Sequence, residues 1–153
     1  MVLRVNTLKI DRQALRAQLA KEGYETEPLE GYPDALQLKK RANVFLSEAF
    51  KQGLFELQDG SSQRVAPLLL GAWNPSQGSL KVADCCAGAG GKTLHLAALM
   101  GGKCKIVAMD IYPQKLDELS RRAKRNGAYN IETRLIETKY LKRQRGTFDR
   151  VLI

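Results

Sequence analysis

Apolar and polar positions alternate from the start of the chain. Leu3, Val5 and Thr7 fall on one side of an extended segment, with Arg4 and Asn6 on the other, which predicts a half-buried strand over 3–9. Asp11 is placed to cap a helix over 12–22, where Leu15 and Leu19 stand four apart and Gly23 supplies the left-handed stop. A second extended piece over 25–29 runs into the turn residues Gly31-Tyr32-Pro33-Asp34, and Leu36 and Leu38 alternate in a third. Phe45, Leu46, Ala49 and Phe50 mark a short helical face that ends at Gly53, and 54–58 reads as another strand. Residues 1–59 are thus predicted to form a small α+β unit.

From residue 60 onward the pattern changes to short apolar strands alternating with helices. Ser61 or Ser62 can start a helix over 63–70, and 71–79, with Asn74-Pro75-Ser76-Gln77-Gly78, reads as a loop in which Trp73 packs at its edge. Val82 and Ala83 make a buried strand that ends at Asp84, followed by Gly88, Gly90 and Gly91. Leu94 and Leu96 to Leu99 form a helix apolar almost all round, to be buried against a sheet before Gly101-Gly102. A strand over 105–110 closes on Asp110. Pro113 opens a helix whose inner face is Leu116, Leu119 and Ala123 and which ends at Asn126-Gly127. A third strand covers 131–137, and in a fourth, over 148–153, Val151, Leu152 and Ile153 read as a buried parallel run. Residues 60–153 are read as an α/β unit with a parallel sheet.

Charge separates the same two parts. Residues 1–59 balance nine basic against nine acidic side chains, whereas 60–153 hold sixteen basic and seven acidic and so carry the whole net charge of +9. A cationic second part suits a polyanion, nucleic acid first. Lys115, Arg121, Arg122, Lys124 and Arg125 lie on the outer face of the helix after Pro113, and Lys139, Lys142, Arg143 and Arg145 in a later loop; both read as solvated surface with a diffuse attractive field. No apolar run reaches the ~18 residues of a membrane helix, and the first residues lack the apolar core of a secretory signal, which points to a cytoplasmic protein without a membrane partner. Cys85, Cys86 and Cys104 have neither paired spacing nor histidine partners, so no disulfide framework and no metal site is expected, and His95 reads as a helix residue.

The chemistry centres on Lys81 to Thr93, K-V-A-D-C-C-A-G-A-G-G-K-T. The ATP-binding P-loop needs glycine where this chain has Cys86, and the dinucleotide fingerprint needs its last glycine where it has Thr93. Asp84, Cys86, Ala87, Gly90, Gly91, Lys92 and Thr93 instead match the loop D-x-C-A-x-x-G-G-K-T, and the chain resembles the Sun-type family of RNA cytosine-5 methyltransferases. Arg4, Asn6 and Lys9 are similar to an R-x-N-x-x-K pattern that opens the family's small domain, and Gln58-Asp59-Gly60-Ser61-Ser62 to its Q-D-x-S-S segment.

The resemblance implies a Rossmann-like S-adenosylmethionine-dependent methyltransferase fold, the first half of its sheet only, preceded by a small RRM-like α+β domain. Cys86, Ala87, Gly88, Ala89, Gly90, Gly91 and Lys92 would receive the carboxylate end of S-adenosylmethionine, Asp110 would bind ribose, and Glu137 adenine. The RNA partner would be ribosomal RNA first, transfer RNA second. The family's nucleophilic cysteine adds to C6 of cytosine so that C5 can take the methyl group. No cysteine follows Cys104, so no catalytic residue is assigned, and the chain is expected to be inactive alone and to self-associate through its last strand. The alternatives are a non-catalytic RNA-binding or cofactor-sensing module and an NAD-dependent oxidoreductase fragment. Asp110, about 20 residues beyond Gly90, suits either adenosine cofactor.

Overall fold

The computed structural model describes residues 1–153. Strand β1 (Val2–Val5) leads through helix α1 (Arg12–Lys21) to strands β2 (Thr26–Pro28) and β3 (Ala35–Leu38). A 3-10 turn at Val44–Leu46 and helix α2 (Glu48–Lys51) then precede strand β4 (Phe55–Leu57). The strands pair antiparallel in the order β2-β3-β1-β4, the arrangement of a ferredoxin-like split βαβ unit. Asp11 caps α1 by accepting the Ala14 amide at 2.8 Å. Leu3 and Val5 meet Leu15, Leu19, Leu36, Val44 and Phe55 in the core of this unit.

The polar side of β1 departs from the expected half-buried strand. Arg4 and Asn6 are 1% and 3% exposed, because the second unit covers the face they share with Glu56. The helix expected over 63–70 also differs: it is split into α3 (Gly60–Gln63) and α4 (Val65–Leu70). Pro67 has no N–H to donate to Gln63, which interrupts the helical ladder there. The cap is Asp59, which accepts the Ser62 amide at 2.9 Å, so Ser61 and Ser62 sit inside the first turn rather than before it.

The second sheet consists of β5 (Lys81–Asp84), β6 (Lys105–Asp110), β7 (Ile131–Leu135) and β8 (Arg150–Leu152). They are all parallel, in the order β7-β6-β5-β8. Helix α5 (Gly91–Leu99) follows β5 and α6 (Pro113–Asn126) follows β6. Leu94, Leu96, Leu116 and Leu119 pack with Val82, Ile106 and Ala108 on one face of the sheet. Ala83, Val107 and Met109 meet Ile136, Tyr140 and Phe148 on the other. Strand order reverses between β5 and β8, and in open α/β sheets ligands bind beyond the carboxyl ends of the strands at such a reversal. Residues 138–143 are a helix, α7 (Thr138–Arg143), not a loop. And Val151 and Ile153 are 46% and 91% exposed rather than buried, since β8 pairs with β5 alone and its outer edge has no neighbouring strand.

His95, on α5, is 4% exposed and its Nδ1 has no hydrogen-bond partner. Burial, with a smaller contribution from Arg4, pulls its pKa down to about 3. A group whose folded pKa lies below its unfolded value stabilises fully above the unfolded pKa, here 6.5, and loses that contribution as pH falls toward 3. Urea denaturation should therefore show roughly 2 kcal/mol less stability at pH 5 than at pH 7.5, and His95→Gln should flatten that slope. An equal slope in the variant would show that other groups carry it.

Candidate functional site

Strand β5 ends at Asp84, which is 1% exposed and whose pKa burial pushes up. Its Oδ2 accepts the Thr93 hydroxyl at 2.7 Å and its Oδ1 the Cys86 amide at 3.3 Å. Asp84 is therefore an internal tie between the strand, the loop and the first turn of α5, turned away from any ligand. Thr93, at the position where a dinucleotide fold places its third glycine, supplies the other half of that tie. The close approach is made at Gly90 instead. Its φ is +92°, and a Cβ there would come within 2.0 Å of Leu119 Cδ1.

The loop amides divide into two sets. Cys86 donates to Asp84, Ala87 to the Met109 carbonyl at 3.0 Å, Gly88 to Asp110 Oδ2 at 2.8 Å and Gly90 to the Ala87 carbonyl at 2.9 Å. The amides of Ala89, Gly91 and Lys92 meet no acceptor in the chain. The last two open a nine-residue helix, where orphan N–H groups and the helix dipole favour an anion.

Asp110 closes β6 beside this loop. Its Oδ1 accepts the Tyr112 amide at 3.0 Å and its Oδ2 the Gly88 amide. The Tyr112 bond first, and the Gly88 bond with it, hold the carboxyl below the usual carboxylate range, so it is ionised at neutral pH. Each oxygen keeps a lone pair for a hydroxyl donor. Glu137 stands exposed ahead of α7 with no side-chain hydrogen bond, one residue past Ile136, whose amide donates to the Asp110 carbonyl at 3.1 Å. The glycine loop, Asp110 and Glu137 thus follow one another along the carboxyl edge of β5, β6 and β7.

A cleft of about 580 Å³ borders the loop, between the two units. Cys86, Ala87, Gly91 and Lys92 form one wall, and Val2, Gln58, Asp59 and Ser62 are on the other; Asp110 and Glu137 are outside its lining. The small-unit wall was signalled in the sequence only by the Gln58-to-Ser62 segment. At the junction behind it, Arg4, Asn6 and Lys9 belong to the R-x-N-x-x-K pattern, whereas Glu56 had no such signal. Glu56, 2% exposed, accepts from Arg122 at 2.8 Å, Arg125 at 2.6 Å and Asn126 at 2.6 Å. Arg122 and Arg125, read from the sequence as solvated surface, are therefore committed to this contact, because the small unit covers that side of α6.

A parallel sheet with this strand order, a glycine loop opening a helix after its first strand and a carboxylate ending its second is the layout of a Rossmann-like S-adenosylmethionine-dependent methyltransferase. Residues 71–153 match the family described as 16S rRNA methyltransferase RsmB/F, and residues 1–45 match the ferredoxin-like domain of RsmF/B-like methyltransferases. The chain belongs to the RsmB/F methyltransferase family, the Sun-type family that its loop resembles. A probable ribosomal RNA small subunit methyltransferase B of Bacillus subtilis is 33% identical over 153 residues, which are 99% of this chain and 33% of that protein. The 25S rRNA (cytosine-C(5))-methyltransferase NSUN5 of Arabidopsis thaliana is 35% identical over 85% of this chain and 22% of its own length. A methyltransferase homolog from Pyrococcus horikoshii superposes with a TM-score of 0.85 at 28% identity, over 99% of this chain and 48% of that one. The chain spans a third or less of these two curated relatives.

Proposed function

We propose that residues 1–153 carry the S-adenosylmethionine-binding part of an RNA cytosine-5 methyltransferase acting on ribosomal RNA. The observation that carries this reading is the set of free amides at Ala89, Gly91 and Lys92, held beside the ionised Asp110 by the Gly88 amide. The residues suit the cofactor. Those amides and the exposed Lys92 ammonium would take its carboxylate, Asp110 its ribose hydroxyls and Glu137 its adenine edge. Cys86, Ala87, Gly88 and Gly90 give the loop its shape. Bound S-adenosylmethionine supplies a methyl group on a sulfonium centre.

Two of the three thiols are packed into the fold and the third, Cys86, is exposed on the loop that would hold the cofactor. Cys104 is buried and its Sγ accepts the Leu80 amide, Cys85 packs with Ala83, Val107 and Met109, and Cys86 belongs to the loop itself. The curated relatives extend well beyond the matched length, and the thiol that attacks C6 of cytosine would come from a part that they have and residues 1–153 do not. The net positive charge of residues 60–153 supports an RNA partner held through phosphates, and the three free thiols support a reducing, cytoplasmic setting. The exposed outer edge of β8 supports self-association of the isolated chain.

Calorimetry with S-adenosylhomocysteine tests the site. Asp110→Ala should weaken binding by about 1.5–3 kcal/mol, the worth of hydrogen bonds to a charged acceptor, and Glu137→Ala by less. No binding by the unaltered chain, or negligible losses in both variants, would remove the reading.

A further inference from the structure

A single guanidinium nitrogen joins the two walls of the cleft. Arg4 on β1 is 1% exposed, and its Nη1 donates both to Gln58 Oε1 at 2.5 Å and to the Gly91 carbonyl at 2.6 Å. Gln58 is in the small-unit wall and is itself held by Gln63 Nε2, which donates to its carbonyl at 3.0 Å. Gly91 is the first residue of α5. Arg4 meets no carboxylate: Glu56 attracts it at longer range but gives its oxygens to Arg122, Arg125 and Asn126. A buried charge without a contacting counter-ion carries a desolvation cost, so its two hydrogen bonds to Gln58 and Gly91 have to offset that cost.

Its geometric effect is specific. In a trans peptide the C=O of one residue and the N–H of the next point in opposite directions. The Gly91 carbonyl meets Arg4, so the Lys92 amide of the same peptide faces away from that contact, outward from the first turn of α5, and Arg4 adds to the helical backbone in holding that peptide plane. A second guanidinium acts two residues earlier, where Arg122 Nη1 donates to the Ala89 carbonyl at 2.6 Å. The two arginines grip the loop on either side of Gly90, carbonyls inward. The remaining polar contacts of β1 and its following turn with the second unit avoid the loop. Asn6 donates to the Asn126 carbonyl at 2.8 Å and Lys9 to the Arg125 carbonyl at 2.7 Å, both at the far end of α6.

We propose that Arg4 is a positioning residue for the glycine loop: it sets the spacing of the two cleft walls and aims the free amide of Lys92, so that the small unit is a working part of the cofactor site. The inference rests on the cofactor reading above, but one of its tests does not.

Arg4→Met keeps an unbranched side chain as far as the Nε position and removes both hydrogen bonds. In the variant without ligand, hydrogen exchange at the bonded amides of Gly88, Gly90 and Leu94 should quicken about tenfold or more relative to the unaltered chain, and the dissociation constant for S-adenosylhomocysteine should rise about tenfold. Lys9→Met, which cuts a contact between the units away from the loop, should change neither quantity. Arg4→Lys, able to reach the Gly91 carbonyl with one donor, should recover part of both. Wild-type exchange rates at the three amides in Arg4→Met would overturn the proposal, whatever happens to the melting temperature. If the unaltered chain binds no S-adenosylhomocysteine, the cofactor reading fails, and the exchange rates still decide the role of Arg4.

Discussion

Glu56→Ala is expected to destabilise the chain by about 3–5 kcal/mol, the cost of leaving buried charges without their partner. Burial alone would raise the Glu56 pKa, yet the charge and hydrogen bond of Arg122, with Asn126 and Arg125, outweigh it and hold the carboxyl below its usual value. Removing it strands two guanidinium groups whose side chains are 18% and 25% exposed, and the Asn126 side chain, which is bonded to it from inside the junction. The small unit would lose its strongest attachment to α6. Arg125 would keep only its stacking over the Phe50 ring, 4.1 Å from the centroid. Urea denaturation at pH 7 measures the effect. A loss under about 1 kcal/mol would mean that water replaces the carboxylate and that the junction is looser than its geometry.

Gly90→Ala should cost about 2–4 kcal/mol and abolish cofactor binding, whereas Gly91→Ala should cost less than about 1 kcal/mol. The two glycines are neighbours in the same motif, but their surroundings differ. Gly90 has a φ of +92°, a conformation that side chains resist, and its Cβ would fall 2.0 Å from Leu119 Cδ1, on a leucine with no exposed surface to move into. Gly91 has a helical backbone, and the nearest atom to its Cβ would be Gln58 Nε2 at 3.8 Å. Thermal melts and calorimetry on the two variants would separate them. Equal destabilisation would show that the motif needs glycine at position 91 for another reason.

Much of the local structure was legible because it depends on local chemistry. The apolar positions along β1, β3 and α1, the stop at Gly23, the glycine loop after Asp84 and the strand ending at Asp110 are all decided within a few residues by period, capping and backbone freedom. The boundaries that moved did so for equally local reasons that compete closely. Asp59 displaced Ser61 and Ser62 as the cap because it lies one residue before the helix starts, and Pro67 broke a helix that apolar spacing had drawn as continuous. The loop reading of 138–143 missed α7 because its six residues, T-K-Y-L-K-R, hold too few apolar positions to show a period.

What only the tertiary structure decided is which polar residues face one another across the chain. Arg4 and Asn6 were read as the wet side of a strand, and Arg122 and Arg125 as the wet side of a helix. Each of those readings follows from its own element, and both fail for the same reason: the two faces cover each other, with Glu56 and the carbonyls of Gly91 and Asn126 as partners. A polar side chain looks the same in sequence whether water or a buried partner will solvate it, because that partner lies as many as 120 positions away. The sequence by itself determined the loop, the two strand-end carboxylates and the order of the elements, since these need only neighbours along the chain. The closing of the small unit over α6 and the loop, and with it the second wall of the cleft, was decided by contacts that no local pattern encodes.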